Sequence, residues 1–333
     1  MRRKKPNFNL GLKNKPIELT EGEKQLIEYK KHLENNKNND AFDSLFKKVF
    51  KNKHMKKIGQ GNQGVVYKII SDDYKKYAVK ETEMDVAPLK ELHYMRQIEC
   101  NKVVKLFDYR EHKNNLYMII EYMNAGTLKE MLYFAKKIEE DYLKLFIYQI
   151  LEGLEFLHKK LKIFHRDIKP ANLIFNLEGH LKLADFGVSA QVMKTLDQKS
   201  TYVGTEKYMA PERLIGPKHG SKSDIWSLGI IAYECFYGYH PVKYENQFDL
   251  IEKMKIFKMP ENADPVFKDF ILSCLSFDPS KRLSANQLLS HPWLLVARKI
   301  KEDNKIEVFC KKYLVNHFKK NKSKMNKLKM NSD

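Results

Sequence analysis

The chain has 333 residues, 43% of them hydrophobic and 31% charged, with a formal charge of +19. That length and apolar content suffice for one large or two small cores and exclude a disordered chain; no apolar run is long enough to cross a bilayer. The basic start, Met1 to Pro6, lacks the apolar stretch of a secretory signal, and Cys100, Cys235, Cys274 and Cys310 are too scattered for a disulfide framework or a metal knuckle.

Residues 1–54 read as an N-terminal extension. Thr20 followed by Glu23 is a helix-start pattern, predicting a helix through Leu33 that Asn35 to Asp40 break. From Lys56 the pattern turns to short strands: Lys56–Ile58, Val65–Ile70, Tyr77–Lys80, Val103–Asp108 and Leu116–Glu121, with Lys113-Asn114-Asn115 as a turn. Between them, Pro88–Ile98 is predicted helical, with Leu89, Leu92 and Met95 on one face. After Gly126 helices dominate. Tyr142–His158 carries a broad apolar stripe, and Ser223–Tyr237, Phe248–Met254, Val266–Leu275 and Ser284–Leu289 follow. The expected fold is α+β and two-lobed: a small β-rich lobe over 55–123 and a larger, mainly helical lobe over 124–297. Residues 298–333 read as a loose, lysine-rich tail with Ile306, Val308, Phe309, Tyr313, Leu314 and Phe318 interleaved; a helix lying on the domain or on an acidic membrane is the alternative. Lysine is otherwise spread along the chain rather than gathered on one motif, so the charge is read as surface composition and no nucleic-acid partner is expected.

The chemistry concentrates in two strings, His165-Arg166-Asp167-Ile168-Lys169-Pro170-Ala171-Asn172 and Asp185-Phe186-Gly187. A carboxylate, a lysine and an amide at short fixed offsets, then a second carboxylate, are the parts needed to move a phosphoryl group. Asp167 would accept a hydroxyl proton, Lys169 would offset phosphate charge, and Asn172 and Asp185 would offer hard oxygens to magnesium. Upstream, Gly59-Gln60-Gly61-Asn62-Gln63-Gly64-Val65-Val66 sits in a predicted hairpin, where missing β-carbons let backbone amides approach phosphate oxygens. A strand follows this loop where a dinucleotide fold would place a helix, and then comes Ala78-Val79-Lys80, which favours a nucleoside triphosphate. Lys80 would contact the phosphates, with Glu91 on the Pro88–Ile98 helix holding its stem.

With these residues in hand, the chain from about Met55 to Leu295 resembles the eukaryotic protein kinases. Ala210-Pro211-Glu212, Asp224 to Gly229 and Arg282 complete the motif order. The resemblance implies ATP and Mg2+ as cofactors. It implies an adenine pocket including Val66, Ala78, the gatekeeper Ile120, and a hinge from Glu121 to Met123. It also implies a Glu212–Arg282 pair and an Asp224 that braces the catalytic loop. Lys169 fits the serine/threonine branch. The stretches Asp185 to Ala190 and Val203 to Arg213 look like MAP kinase kinases, which implies a downstream MAP kinase phosphorylated on activation-loop threonine and tyrosine, and an upstream activating kinase. Ste20-like kinases share the segment length and stand as the alternative, with a kinase-fold scaffold behind them. The expected regulatory phosphosites are Thr195 and Thr201, with five residues between them as in plant-type MAP kinase kinases rather than three as in the animal pattern, and with Ser200 as a substitute. A phosphate on Thr201 would pair with Arg166.

Arg2, Arg3, Lys4 and Lys5, followed by Phe8 and Leu10, are similar to the docking segment of MAP kinase kinases. A basic run suits an acidic patch, alternate apolar residues in extended chain suit a shallow groove, and tethering raises the effective concentration of substrate. A solvated tail or a nuclear-import run shares this composition. The expected location is the cytoplasm, with the nucleus as a second compartment.

Overall fold

Alternating apolar residues fold the first half of the chain into a sheet because each strand must bury one face. The computed structural model describes residues 40–51, 55–61, 64–185, 206–216, 220–302, 305–308 and 310–315. Strands β1 (Lys56–Gly61), β2 (Gly64–Ile70), β3 (Lys76–Glu83), β4 (Leu106–His112) and β5 (Asn115–Glu121) form an antiparallel sheet in the order β1-β2-β3-β5-β4. Register places Val66 opposite Lys80, Ala78 opposite Ile120 and Lys80 opposite Met118. With a two-residue period these five side chains share one face, while Ile69, Val79, Tyr117 and Ile119 share the other.

Both faces are covered. Helix α1 (Asp43–Phe50) lays Leu45, Phe46 and Val49 on the second face. Arg110 of β4 reaches up to it, its guanidinium 4.6 Å above the Phe46 ring and paired with Asp43. Burying each such side chain is worth about 1.5–3 kcal/mol, so the end of the N-terminal extension is part of the small lobe's core. Helix α2 (Val86–Met95) covers the first face with Leu89, Leu92 and Met95. It starts earlier than Pro88 because the Asp85 side chain accepts from the Val86 amide as its cap.

One predicted strand is displaced. The run Val103–Asp108 is not a strand as a whole: Val103 makes a parallel bridge to Leu183 of the large lobe, and β4 begins only at Leu106. Both stretches are apolar, and hydrophobicity alone does not say which neighbour will pair with them.

The large lobe consists of α3 (Leu128–Ala135), α4 (Glu140–Glu155), the hairpin β6 (Leu173–Phe175) and β7 (Leu181–Leu183), α5 (Pro211–Ile215), α6 (Ser221–Tyr237), α7 (Gln247–Lys255), α8 (Pro265–Cys274), α9 (Ala285–Leu289) and α10 (Leu295–Glu302). The stripe on α4 is buried as its spacing predicts, from Leu143 to Leu154, and the helix loosens into a π-turn at Phe156–Leu161. Helix α6 is buried on nearly every side from Ser223 to Tyr233, so it is the axis of the lobe. Gly229 lets α8 approach it: a β-carbon there would lie 2.6 Å from Cys274 Cβ.

The C-terminal residues overturn the expectation of a loose tail as far as 315. Residues 306–308 and 310–315 are helical, and Ile306, Cys310 and Leu314, at a spacing of four, are 0% exposed in the large core. Lys311 and Lys312 point to solvent, so the lysine-rich composition described one helical face and hid the other. Among the described residues no helix is long and apolar enough to cross a membrane.

Candidate active site

Lys80 lies on β3 with its ammonium drawn to α2: Nζ is 2.7 and 2.8 Å from the two Glu91 carboxylate oxygens. A third oxygen, Asp185 Oδ1, stands at 3.0 Å. Burial works against the charged amine, but Glu91 and then Asp185 outweigh it and raise the Lys80 pKa well above its ordinary value. The lysine is therefore a fixed cation between the lobes. Glu81 and Glu83, nearer in sequence, do not reach it; Glu81 lies on the opposite sheet face, where Tyr117 and Asn115 donate to its carboxylate.

The catalytic string lies on a loop between the π-turn and β6. Asp224 of α6 holds it: its carboxylate accepts from the His165 amide at 2.9 Å and the Arg166 amide at 2.7 Å, with His158 Nε2 at 2.7 Å. Burial opposes ionisation of Asp224, yet these partners pull its pKa below the ordinary value, so it braces the loop as an anion. The loop needs this support because Arg166 adopts a left-handed φ of 66°, costly for a residue with a β-carbon. His165 is fully buried, Nε2 is 3.1 Å from Ala184 O, and burial lowers its pKa.

Asp167 projects from this braced loop. Lys169 Nζ is 2.8 Å from its Oδ2, and Asn172 Nδ2 donates to the same oxygen at 2.9 Å. With its amide nitrogen used on Asp167, Asn172 has its oxygen left for a cation. Its backbone carbonyl accepts from the Ala184 amide at 2.9 Å, which ties the loop to the chain entering Asp185. The Asn172 amide oxygen and the Asp185 carboxylate are hard donors, the kind that suit a magnesium-like ion rather than zinc. Among the described residues no cluster of three His, Cys, Asp or Glu has metal-holding geometry, so a cation here would take its other ligands from phosphate and water.

The three glycines separate into two jobs. Gly64 has φ +122°, and a β-carbon there would lie 2.1 Å from Glu81 O, so β3 itself demands a glycine. A β-carbon at Gly61 would meet nothing within 4 Å, and one at Gly59 only Val66 Cβ at 3.9 Å. Nothing inside the fold excludes side chains at those two, which leaves room above them for phosphate oxygens. Gln60 lies between them in β1, its Oε1 accepting from Lys57.

Val66, Ala78 and Ile120 line the sheet face that carries Lys80, and Met118, which the sequence reading did not single out, lies beside them fully buried. Glu121 ends β5, and Met123 lies in the link to the large lobe. Lys182 of β7 was also missed: its Nζ is 2.7 Å from both Glu121 oxygens, pinning the hinge from behind. A lysine alternating with Leu181 and Leu183 in a buried strand was its only trace in the sequence. In the large lobe, Arg282 makes two bonds of 2.8 Å to the Glu212 carboxylate, with Ser223 Oγ donating to Glu212 at 2.7 Å.

Several sequence expectations lie outside the described residues: the helix over Thr20–Leu33, the segment Arg2 to Leu10, Phe186, Gly187, Thr195, Ser200 and Thr201.

Comparison with known proteins agrees with this geometry. The protein kinase domain family matches residues 52–294. Mitogen-activated protein kinase kinase 2 of Arabidopsis thaliana is 36% identical over 259 residues, covering 72% of this chain and 71% of the relative. Mitogen-activated protein kinase kinase 1c of Physcomitrium patens is 38% identical over 237 residues, 66% of this chain and 68% of the relative. Mitogen-activated protein kinase kinase SIPKK of Nicotiana tabacum is 34% identical over 259 residues, 72% of each. A lysine clamped by two carboxylates, a braced catalytic loop and these matches along most of its length place the chain in the protein kinase family, among the MAP kinase kinases.

Proposed function

We propose that this kinase transfers the γ-phosphoryl group of magnesium-bound ATP to threonine and tyrosine in the activation loop of a MAP kinase. The observation that carries the reading is Lys80 held at 2.7 Å by Glu91 and 3.0 Å by Asp185 while Asp167 projects from a separate braced loop. Lys80 binds phosphate oxygens, and the glycine loop closes over them with its amides. Asn172 and Asp185 would hold the cation, which when bound would supply positive charge against the phosphates. Asp167 orients the acceptor hydroxyl and takes its proton, while Lys169, 2.8 Å away, offsets negative charge as the group moves.

The same reading assigns Thr201, with Thr195 and Ser200 beside it, to phosphorylation by an upstream kinase, and the basic segment with Phe8 and Leu10 to MAP kinase docking. Its four free thiols fit a cytoplasmic enzyme. The test is incubation of the activated protein with a catalytically dead MAP kinase and ATP, followed by phosphosite mapping. Phosphothreonine and phosphotyrosine in one activation loop support the proposal. Labelling of serine or threonine on other proteins, with none on the MAP kinase, overturns the substrate assignment.

A further inference from the structure

The helical residues 306–308 and 310–315 lie beyond the matched kinase domain, which ends at 294. They nevertheless supply a charge to its interior. Lys102, in the loop between α2 and β4, is 2% exposed. A buried ammonium is tolerated only when paired and hydrogen-bonded. Gln149 Oε1 of α4 accepts from its Nζ at 3.2 Å, but the nearest carboxylate is Glu307 Oε1 at 2.9 Å, with Glu152 farther off at 3.6 Å. Burial opposes ionisation of Glu307; the bond and charge of Lys102 more than offset this and lower its pKa.

The approach is close. Gly179, in the β6–β7 turn, has φ +98°, and a β-carbon there would lie 1.9 Å from Glu307 O. Gln149 ties the parts together, donating to Gly179 O at 3.3 Å and to Cys310 Sγ at 3.5 Å.

Lys102 is also where two elements of the active site meet. The Leu183 amide donates to Lys102 O at 2.9 Å, and the Val104 amide donates to Leu183 O at 2.9 Å. Leu183 ends β7, two residues before Asp185. In the other direction, the loop carrying Lys102 hangs from α2, which presents Glu91. The two carboxylates that grip Lys80 thus belong to elements joined at one backbone bridge, and the side chain at that bridge is neutralised from outside the kinase domain.

We propose that residues 305–308 and 310–315 act as a positioning strap: Glu307, through Lys102, holds the junction of the α2 loop with β7 and so keeps Glu91 and Asp185 on Lys80. The proposal rests on the phosphotransfer reading of the site. Glu307 touches no reacting atom, so it is a positioning residue.

The test uses the full chain carrying Glu307→Ala, Glu307→Gln or the control Val308→Ala, whose side chain is 65% exposed. Three quantities are measured at a temperature where every variant is folded: kcat and KM for ATP, binding of a fluorescent non-hydrolysable ATP analogue, and amide exchange at Leu183 and Val104. Small misplacements far from the chemistry cost up to about a hundredfold in rate. Glu307→Ala should lower kcat/KM for ATP roughly tenfold and speed exchange at both amides. Glu307→Gln, which still offers Lys102 an oxygen, should lose less, and Val308→Ala should match wild type. A Glu307→Ala enzyme that melts earlier but keeps wild-type kcat/KM and exchange overturns the strap; should that variant not fold, Glu307→Gln with wild-type exchange does the same. A wild type that turns over no ATP overturns the kinase reading instead, and exchange at Leu183 then still decides whether the strap holds.

Discussion

Lys80 and Glu91 face each other across the small lobe with both carboxylate oxygens within 2.8 Å of the ammonium, and both residues are buried. The pair fixes α2 against the sheet and aims Lys80 at the place where Asp185 enters. Lys80→Met should lower ATP-dependent transfer by about a hundredfold or more, because a preorganised cation in a water-poor site is lost. Glu91→Gln keeps one acceptor and should cost less. Steady-state phosphorylation with circular dichroism as a check on folding reads both; a Lys80→Met protein with wild-type turnover would remove the clamp from the mechanism.

Asp167 and Asp185 should separate in their response to the cation. Asp167→Asn removes a proton acceptor and should lower kcat by about 10²–10⁴ with little change in the magnesium concentration needed for half-maximal rate. Asp185→Asn weakens a hard ligand and should raise that concentration. Magnesium titrations of the two variants decide the assignment, and equal shifts in both would contradict it.

Arg282 is 1% exposed and both terminal guanidinium nitrogens donate to the Glu212 carboxylate. Removing one member of a buried pair leaves the other unpaired, at about 3–5 kcal/mol. Arg282→Met should therefore depress the melting temperature more than any exposed lysine substitution. Glu212→Gln, which retains an acceptor for Arg282 and for Ser223, should fall between. Differential scanning calorimetry measures the order.

The pH profile of stability follows from His165, Asp224 and Glu212. Burial lowers the His165 pKa from its ordinary 6.5, so below that pH the unfolded chain takes up a proton that the folded chain refuses. Stability should be flat above about pH 7 and then decline as pH falls through 6.5, by at most about 1.4 kcal/mol per pH unit for this group. Asp224 and Glu212 have folded pKa values below their ordinary 3.8 and 4.5. Their contribution is present above those values and is lost in a second, more acidic decline as pH falls toward the folded pKa values. Thermal melts from pH 8 to pH 3 test this, and a stability that rises between pH 7 and pH 5 would contradict it.

The site was legible in the sequence where chemistry is local. Asp167, Lys169 and Asn172 occupy one short loop, and their mutual bonds follow from that spacing. Glu91 could be chosen over Glu81 and Glu83 because a strand sends alternate residues to opposite faces, and Glu81 indeed lies on the far one. The helix α1 did not stand out, since eight residues with four charges or hydroxyls among them look like a polar connector until a sheet face is available to cover.

From the order of residues alone came the reaction class, the two-lobed plan and most of the side chains gathered at the candidate site, because those depend on residue type at short range and on periodicity. The folded chain added the pairings between distant segments: Val103 with Leu183 rather than in β4, Lys182 behind Glu121, and Lys102 with Glu307 across 205 positions. A buried charge takes whichever opposite charge the packing brings to it, and packing is set by how whole faces of helices and sheets fit, which no local stretch of sequence encodes.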